Sequence, residues 1–118
     1  MKDCLFCKII AGEIPSTKVY EDEHWFAFRD ISPCAPIHVL LIPKIHVKNI
    51  LDFTEETSTY FSNFFLIVKK IAEQEGLEES GFRLVMNTGE QSGQTVFHFH
   101  AHIIGEKEMG WPPFPVQE

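Results

Sequence analysis

The sequence predicts an α+β domain: an antiparallel sheet of about five strands, one long helix and a short N-terminal helix. Short apolar or alternating runs bounded by turn residues indicate the strands, and one long stretch with apolar residues at three- and four-residue steps indicates the helix. Helices and strands do not alternate strictly, which favours an antiparallel sheet. With 118 residues, of which 44% are hydrophobic, we expect a single domain over 1–118 whose tail, 105–118, is irregular.

The N-terminal part is predicted to contain the short helix and three strands. Asp3 is placed to cap the helix and Gly12 to end it. Two prolines make residues 30–36 a loop, because proline cannot donate to a sheet. The strongest β run is expected to be a central strand that ends before Pro43. The predicted elements are a helix over 4–11 and strands over 17–21, 25–29 and 37–42.

The C-terminal part is predicted to contain the long helix and two more strands. An apolar stripe supports the helix, which should start near Asp52 or Thr54, run to Glu75 and end at Gly76. The stripe consists of Phe61, Phe64, Phe65, Val68, Ile71 and Ala72. A strand over 82–86, a Gly-rich loop over 88–94 and a second strand over 95–104 follow, before a proline-rich tail at 111–115.

Composition restricts the possible partners. The net charge is −7 and there is no Lys/Arg run, which argues against a nucleic-acid backbone, although one nucleotide phosphate can still be held by local donors. We find no signal-peptide pattern and no apolar run near 18 residues, so we expect a cytoplasmic protein that does not bind membranes. Three cysteines do not form a disulfide framework, and in a reducing compartment Cys4-x-x-Cys7 indicates metal or redox chemistry.

The most informative stretch places His98, His100 and His102 at every second residue. Successive side chains of a strand point to opposite faces, so these imidazoles should share one face while the intervening apolar residues pack into the core. One metal ion could bind there, but the outer two Cα atoms would be about 13 Å apart, a span that a single ion rarely bridges on one strand, although an adjacent pair of the histidines could bind one. Nucleophilic catalysis by one imidazole is the second possibility, and purely structural histidines are the third.

This stretch resembles the signature of the histidine-triad (HIT) superfamily, in which three histidines alternate with apolar residues. Other segments resemble its nucleotide-binding branch: Phe6-x-Lys8-Ile9-Ile10, Glu13-Ile14-Pro15, Ala27-Phe28-Arg29-Asp30-Ile31-Ser32-Pro33, Ala35-Pro36-x-His38, Ile42-Pro43-Lys44, Asn87-x-Gly89, Gly93-Gln94-Thr95-Val96 and Met109-Gly110-Trp111-Pro112-Pro113. The resemblance covers roughly residues 4–113. It implies a HIT-like fold and a homodimer that hydrolyses purine nucleoside 5′-phosphoramidates.

The resemblance also implies the catalytic roles. His100 matches the nucleophile, which attacks the α-phosphorus and becomes transiently nucleotidylylated. His102 should hydrogen-bond a phosphate oxygen or the leaving group, and His38 resembles the histidine that supports the triad. Thr95 stands where the family commonly has serine and keeps the hydroxyl near the bridging atom.

The same resemblance implies a nucleotide pocket. Asp30 is suited to read the ribose, because one carboxylate can accept from both hydroxyls. Asn87, Gly93 and Gln94, together with Thr95, His100 and His102, should lie on the phosphate side. Trp111 is expected to reach the active site of a partner subunit. An apolar slot for the purine, here called the purine slot, is predicted from Phe6, Ile9, Ile14, Phe28 and Ile31.

A zinc site is predicted at Cys4, Cys7, His46 and His98. Cys-x-x-Cys is half of a tetrahedral zinc site, and some HIT-superfamily members look similar, with a structural zinc on two cysteines and two histidines at matching positions. Two buried free cysteines are the alternative. Cys34 has no evident partner, so we expect it to be a packed or loop thiol.

Other activities remain possible from the sequence. A dinucleoside polyphosphate hydrolase of the same superfamily is one, and a nucleotide-binding interaction module with weak catalysis is another. A third possibility is a metal-sequestering protein that binds metal ions with the histidine face. The choice between adenine and guanine, and the identity of the leaving group, are open.

Overall fold

Five antiparallel strands and one long helical segment form the domain in a computed structural model that describes residues 3–115. The regular elements are α1 (Leu5–Ile10), β1 (Lys18–Glu21), β2 (Trp25–Arg29), β3 (Ile37–Pro43), α2 (Glu55–Ser58), α3 (Phe64–Gln74), β4 (Phe82–Val85) and β5 (Ala101–Gly105). Short 3-10 turns span Ile50–Asp52, Thr59–Asn63 and Glu90–Ser92. This confirms the predicted α+β class.

The sheet has the order β1-β2-β3-β5-β4, and every neighbouring pair is antiparallel. The last strand therefore lies between β3 and β4. In this register His38 is opposite Ile104 and Leu40 is opposite His102. The order thus brings His38, which is distant in sequence, beside the histidine-containing strand.

The two faces of the sheet are covered by different helices. Trp25, Ala27 and the other inward residues of that face pack with α3, whereas Phe26 and Phe28 pack with α1. Phe99, Ala101 and Ile103 all belong to the α3 side. The expected alternation therefore holds across residues 98–102, here called the histidine segment, and leaves its imidazoles on the α1 side.

The long helix occupies residues 55–74 and contains a 3-10 stretch at Thr59–Asn63 between α2 and α3. Thr54 caps its start through a reciprocal pair of hydrogen bonds with Thr57. The carbonyl of Tyr60 accepts a hydrogen bond from Nε1 of Trp25 at 2.9 Å, which draws it away from regular α-helical pairing. Phe65 is 71% exposed, so its predicted place in the buried stripe was wrong.

Two predicted boundaries were also wrong. The thiol of Cys4, rather than Asp3, caps α1 by accepting from the backbone N–H of Cys7. The last strand begins at Ala101 instead of residue 95. Continued pairing with β3 would place Pro43 in the ladder, but proline has no N–H and its carbonyl accepts from the ring of His98 at 2.9 Å.

β2 has the predicted bounds, and no remaining strand end differs from its prediction by more than one residue. None of the helices within residues 3–115 combines the length and apolar character that crossing a bilayer requires.

Candidate active site and metal centre

The histidine segment and β3 bring four imidazoles together on the α1 side of the sheet. His38, His98 and His100 are buried, and His102 is half-buried. The ring of Phe6 on α1 meets His98 and His100 edge-on, with centroids 5.8 and 5.0 Å apart. An aromatic side chain of α1 therefore packs against two of the triad histidines.

The protonation of His100 is fixed by the backbone. Its Nδ1 lies 2.8 Å from the carbonyl oxygen of His98. A carbonyl can only accept, so Nδ1 carries the proton and Nε2 keeps a lone pair. Burial lowers the pKa of His100 below its ordinary value, which keeps the ring neutral near pH 7. His100 thus offers an unprotonated nitrogen, as a nucleophile requires.

The protonation of His38 and His102 follows from one backbone donor. The N–H of Cys34 donates to Nδ1 of His38 at 3.1 Å, so His38 carries its proton on Nε2. That Nε2 lies 2.9 Å from Nδ1 of His102, which must therefore accept. Neutral His102 then carries its proton on Nε2, and burial lowers its pKa to about 4.

The Nε2 of His102 is buried and has no hydrogen-bond partner among the described residues. Buried N–H groups are nearly always paired, so this unpaired one indicates a donor kept for a ligand. The rings of His100 and His102 are neighbours, with centroids 4.9 Å apart. The lone pair on Nε2 of His100 and the unpaired N–H of His102 therefore belong to neighbouring rings.

Asp30 lies at the edge of this group. One of its oxygens is 3.5 Å from Nε2 of His38, and the other accepts from the backbone N–H of Ser32 at 2.8 Å. The first contact favours the Nε2 proton on His38, because a carboxylate only accepts. Asp30 is half-buried and borders the triad. Its predicted role there is to accept hydrogen bonds from the ribose hydroxyls.

Four of the five residues predicted for the purine slot lie together. Phe6, Ile9 and Phe28 are buried in one cluster on the α1 side, and Ile14 packs against it. Ile31 is 94% exposed, so its side chain lies outside this cluster.

The Gly-rich loop is held by a side chain that was predicted to bind nucleotide. Gln94 is buried: its Oε1 accepts from the N–H of Gly89 at 2.9 Å, and its Nε2 donates to the carbonyls of Lys48 and Val96 at 2.8 and 3.1 Å. Gln94 thus braces the loop. This bracing role was not predicted. The only indication of it in the sequence is an amide side chain within a glycine-rich turn.

The other predicted phosphate-side residues lie around the same loop. Gly93 has a φ of +99°, a left-handed conformation that favours glycine. Asn87 is half-buried just beyond β4. Thr95 is exposed and lines a cavity of about 400 Å³ with Asp3, Cys4, Leu5, His46, Val96 and Phe97.

The residues predicted to bind zinc, here called the metal cluster, converge as expected: Cys4, Cys7, His46 and His98. Tetrahedral zinc with ordinary bond lengths places sulfur and nitrogen ligands about 3.6 Å apart and two nitrogens about 3.3 Å apart. The observed sulfur-to-nitrogen distances are 3.3, 3.4 and 3.6 Å, and Nδ1 of His46 is 3.2 Å from Nδ1 of His98. The donor set therefore fits zinc in both chemistry and spacing.

The protonation of His98 also suits a metal. Its Nε2 donates to the carbonyl of Pro43 at 2.9 Å, so Nδ1, which faces the thiols, is free to ligate. Burial lowers the pKa of His98 to about 4, and the ring is neutral, as a ligand must be.

A second group of possible ligands, formed by Asp30, His38 and His102, fits a metal less well. There Nε2 of His38 carries a proton because Cys34 donates to the other nitrogen. A protonated nitrogen cannot ligate, so this group is better suited to proton transfer and hydrogen bonding.

The tail places Trp111 on the surface, where its side chain is 84% exposed. Arg83 of β4 donates to the preceding carbonyl of Gly110 at 2.7 Å and so ties the tail to the sheet.

Comparisons with known proteins identify the family. The HIT domain family matches residues 11–109. The purine nucleoside phosphoramidase of Escherichia coli K12 is 45% identical over 109 residues, which cover 92% of each chain. The 14 kDa zinc-binding protein of Brassica juncea is 47% identical over 113 residues, 94% of this chain and 99% of that protein.

A solved structure shows the same fold. The crystal structure of a HIT family hydrolase from Legionella pneumophila Philadelphia 1 matches with a TM-score of 0.90 and 49% identity, over 95% of this chain and all of the other. The match of family, sequence and structure over most of the chain confirms the resemblance seen in the sequence. This chain belongs to the HIT domain family.

Proposed function

We propose that this protein hydrolyses purine nucleoside 5′-phosphoramidates through a covalent nucleotidyl-histidine intermediate. One observation carries the proposal: Nε2 of His100 keeps a lone pair beside the unpartnered Nε2–H of His102. A nucleophile and a hydrogen-bond donor in this arrangement suit displacement at phosphorus. The similarity to the E. coli purine nucleoside phosphoramidase supports the choice of substrate.

In the first step, Nε2 of His100 attacks the α-phosphorus. The new bond joins phosphorus to nitrogen of the ring, the bond from phosphorus to the amine breaks, and the amine leaves with one proton from solvent. His102 donates its hydrogen bond to the phosphoryl group or to the departing nitrogen. The carbonyl of His98, which accepts from Nδ1, stabilises the positive charge that develops on the ring.

In the second step, water attacks the same phosphorus, the bond to His100 breaks, and the proton that the water loses passes to solvent. The products are a nucleoside monophosphate and regenerated His100. The hydrogen bonds to His38 and His102 are set by the backbone of Cys34, so the donor geometry is the same in both steps. This prepositioning lowers the barrier because little reorganisation is needed.

Binding of the nucleotide is assigned to the surrounding residues. The purine lies against the clustered side chains of the purine slot, and Asp30 accepts from the ribose hydroxyls. Thr95, Asn87 and Gly93 serve the phosphate side, whereas Gln94 acts mainly by holding their loop.

We also assign a structural zinc to the metal cluster. Cys4, Cys7, His46 and His98 supply four ligands, which closes a tetrahedral site and leaves no position for substrate. The Brassica zinc-binding relative supports this assignment. Free thiols are needed, which suits the reducing cytoplasm. Elemental analysis should find about one zinc per chain, and an active preparation with less than about a tenth of that would contradict the assignment.

A homodimer is the expected assembly. Within residues 3–115, β4 pairs with β5 alone and so leaves one edge of the sheet open. Beside that edge, Phe65 and Phe82 are 71% and 41% exposed and line a cavity of about 520 Å³ together with Val68 and Leu84. Leu66, which follows Phe65 on α3, is 68% exposed. A second copy can cover this apolar face, and Trp111 would then reach the partner's site, as the resemblance implies.

A kinetic comparison tests the activity. The native protein should release the amine from a fluorogenic adenosine phosphoramidate faster than it cleaves a dinucleoside polyphosphate, and His100→Ala should abolish both. His24→Ala, which removes an exposed histidine packed edge-on against Tyr60, is the matched control and should retain activity. Preference for the polyphosphate would favour a dinucleoside polyphosphate hydrolase. Tight AMP binding without turnover would favour an interaction module.

A further inference from the structure

His98 belongs to the metal cluster and also contacts the proposed nucleophile, His100. Its Nδ1 lies 3.3 Å from the sulfur of Cys4 and 3.2 Å from Nδ1 of His46. Its own carbonyl oxygen accepts from Nδ1 of His100 at 2.8 Å. The atom that fixes the protonation of the nucleophile therefore belongs to a residue whose ring points into the cluster.

The backbone on either side of His98 is also restrained. The N–H of Phe99 donates to the carbonyl of Val47, the residue after His46, at 2.6 Å. The ring of His98 donates to the carbonyl of Pro43 at 2.9 Å. With the ring, the carbonyl and the next N–H all held, the peptide that faces His100 has little freedom to rotate.

The cluster holds α1 against the same nucleophile. Cys4 and Cys7 flank the first turn of this helix, and the thiol of Cys4 caps it at 3.3 Å from the backbone nitrogen of Cys7. Phe6, which lies between them in sequence, packs edge-on against His100 with centroids 5.0 Å apart. Ligands on α1, on the loop after β3 and on the histidine segment thus meet at one point.

The cluster is held less firmly when it holds no cation. Nε2 of His98 carries the proton, so Nδ1 presents its lone pair to the sulfurs of Cys4 and Cys7 at 3.3 and 3.6 Å. Without a cation only weak thiol hydrogen bonds can reach this nitrogen, whereas zinc would bond to all four residues at once. Zinc would therefore restrain the ring of His98, and the peptide attached to it, more than the thiols do.

We propose that the metal cluster is a positioning centre for the nucleophile: a zinc ion held by Cys4, Cys7, His46 and His98 fixes the carbonyl of His98 and thereby the tautomer and aim of His100. His98 is accordingly a positioning residue rather than a catalytic one. The kinetic consequence rests on the proposed function, but the effect on the tautomer of His100 does not.

The experiment compares native protein, metal-free protein prepared with a chelator, His46→Ala, His46→Cys and the control His24→Ala. His46→Cys keeps four ligands of a kind that binds zinc, so it should restore what His46→Ala loses. At a fixed pH of 7.5, nitrogen-15 NMR reports which ring nitrogen of His100 is protonated, elemental analysis reports the zinc, and rapid mixing reports the rate of nucleotidylation.

We expect the native protein, His46→Cys and His24→Ala to hold His100 in the Nδ1–H form. Metal-free protein and His46→Ala should show mixed tautomers and nucleotidylation slowed about tenfold or more, as for loss of an outer-shell contact. AMP affinity should fall by a smaller factor than the rate, because the predicted ribose contact at Asp30 lies outside the cluster, whereas Phe6 of the purine slot moves with α1. Returning zinc to the metal-free protein should restore both the tautomer and the rate.

Two results would overturn the proposal. In one, His100 keeps a single Nδ1–H tautomer and its full rate after zinc is removed. In the other, metal-free protein, His46→Ala and a second variant, Cys7→Ser, all lose their circular dichroism signal, which would make zinc a requirement for folding alone. If the native protein cleaves no phosphoramidate, the proposed function fails, while the tautomer comparison still decides this inference because it needs no substrate.

Discussion

Gln94→Ala should destabilise the fold by an amount that can be worked out from its contacts. The side chain is 3% exposed and accepts one long hydrogen bond from Nδ2 of Asn49 at 3.4 Å. It also makes three shorter hydrogen bonds to the backbone, to the N–H of Gly89 and to the carbonyls of Lys48 and Val96, at 2.9, 2.8 and 3.1 Å. Each such bond contributes about 1 kcal/mol net, so the loss should be about 3 kcal/mol. The change also frees the Gly-rich loop from the segment that contains His46.

Urea unfolding of the zinc-loaded protein measures this loss. Gln91→Ala removes an exposed glutamine from the same loop and should change the free energy of unfolding by less than about 0.5 kcal/mol. If Gln94 were instead a direct nucleotide contact, its substitution would weaken AMP binding while unfolding stayed within about 0.5 kcal/mol of native. That pattern would refute the assignment of Gln94 as a brace.

Three further predictions concern catalysis and assembly. His102→Ala removes the unpartnered N–H donor, so kcat should fall about a hundredfold or more with a small change in KM, and an unchanged kcat would remove His102 from the mechanism. Burial lowers the pKa of His100 from its ordinary 6.5, and attack needs the neutral ring, so kcat/KM should stay level as pH falls through 6.5 and decline only below it; a decline centred at or above 6.5 would contradict this. Phe82→Glu places a charge beside the open edge of β4 and should shift the protein from dimer to monomer in light scattering, whereas a monomeric native protein would exclude the assembly.

The sequence predicted the sheet and the alternation of the histidine segment because these depend on local periodicity. Phe99, Ala101 and Ile103 pack in the core as their spacing requires. The start of β5 could not be predicted, since it depends on Pro43 meeting the strand from across the sheet. Phe65 was included in the apolar stripe by its spacing, but it is 71% exposed. The stripe is wider than the helix face that packs against the sheet.

The site was predicted by residue type but not in its hydrogen bonding. The four residues predicted as zinc ligands do converge, as Cys-x-x-Cys together with two candidate histidines led us to expect. The N–H of Cys34 sets the protonation of His38 and, through it, of His102. This contact could not be predicted from the sequence, because every residue except proline offers a backbone N–H donor. Backbone donors and acceptors become visible only once the chain is folded.

The proposed mechanism depends most on Nε2 of His100, which is the atom that bonds to phosphorus. Rapid quenching of the native protein with an adenosine phosphoramidate, followed by intact mass and peptide mapping under alkaline conditions, tests it directly. We expect an adduct of one adenylyl group on His100, formed before free AMP appears and lost as AMP is released, and none on His100→Ala. AMP released at the full rate with no adduct, or an adduct on His102 or His38, would contradict the account.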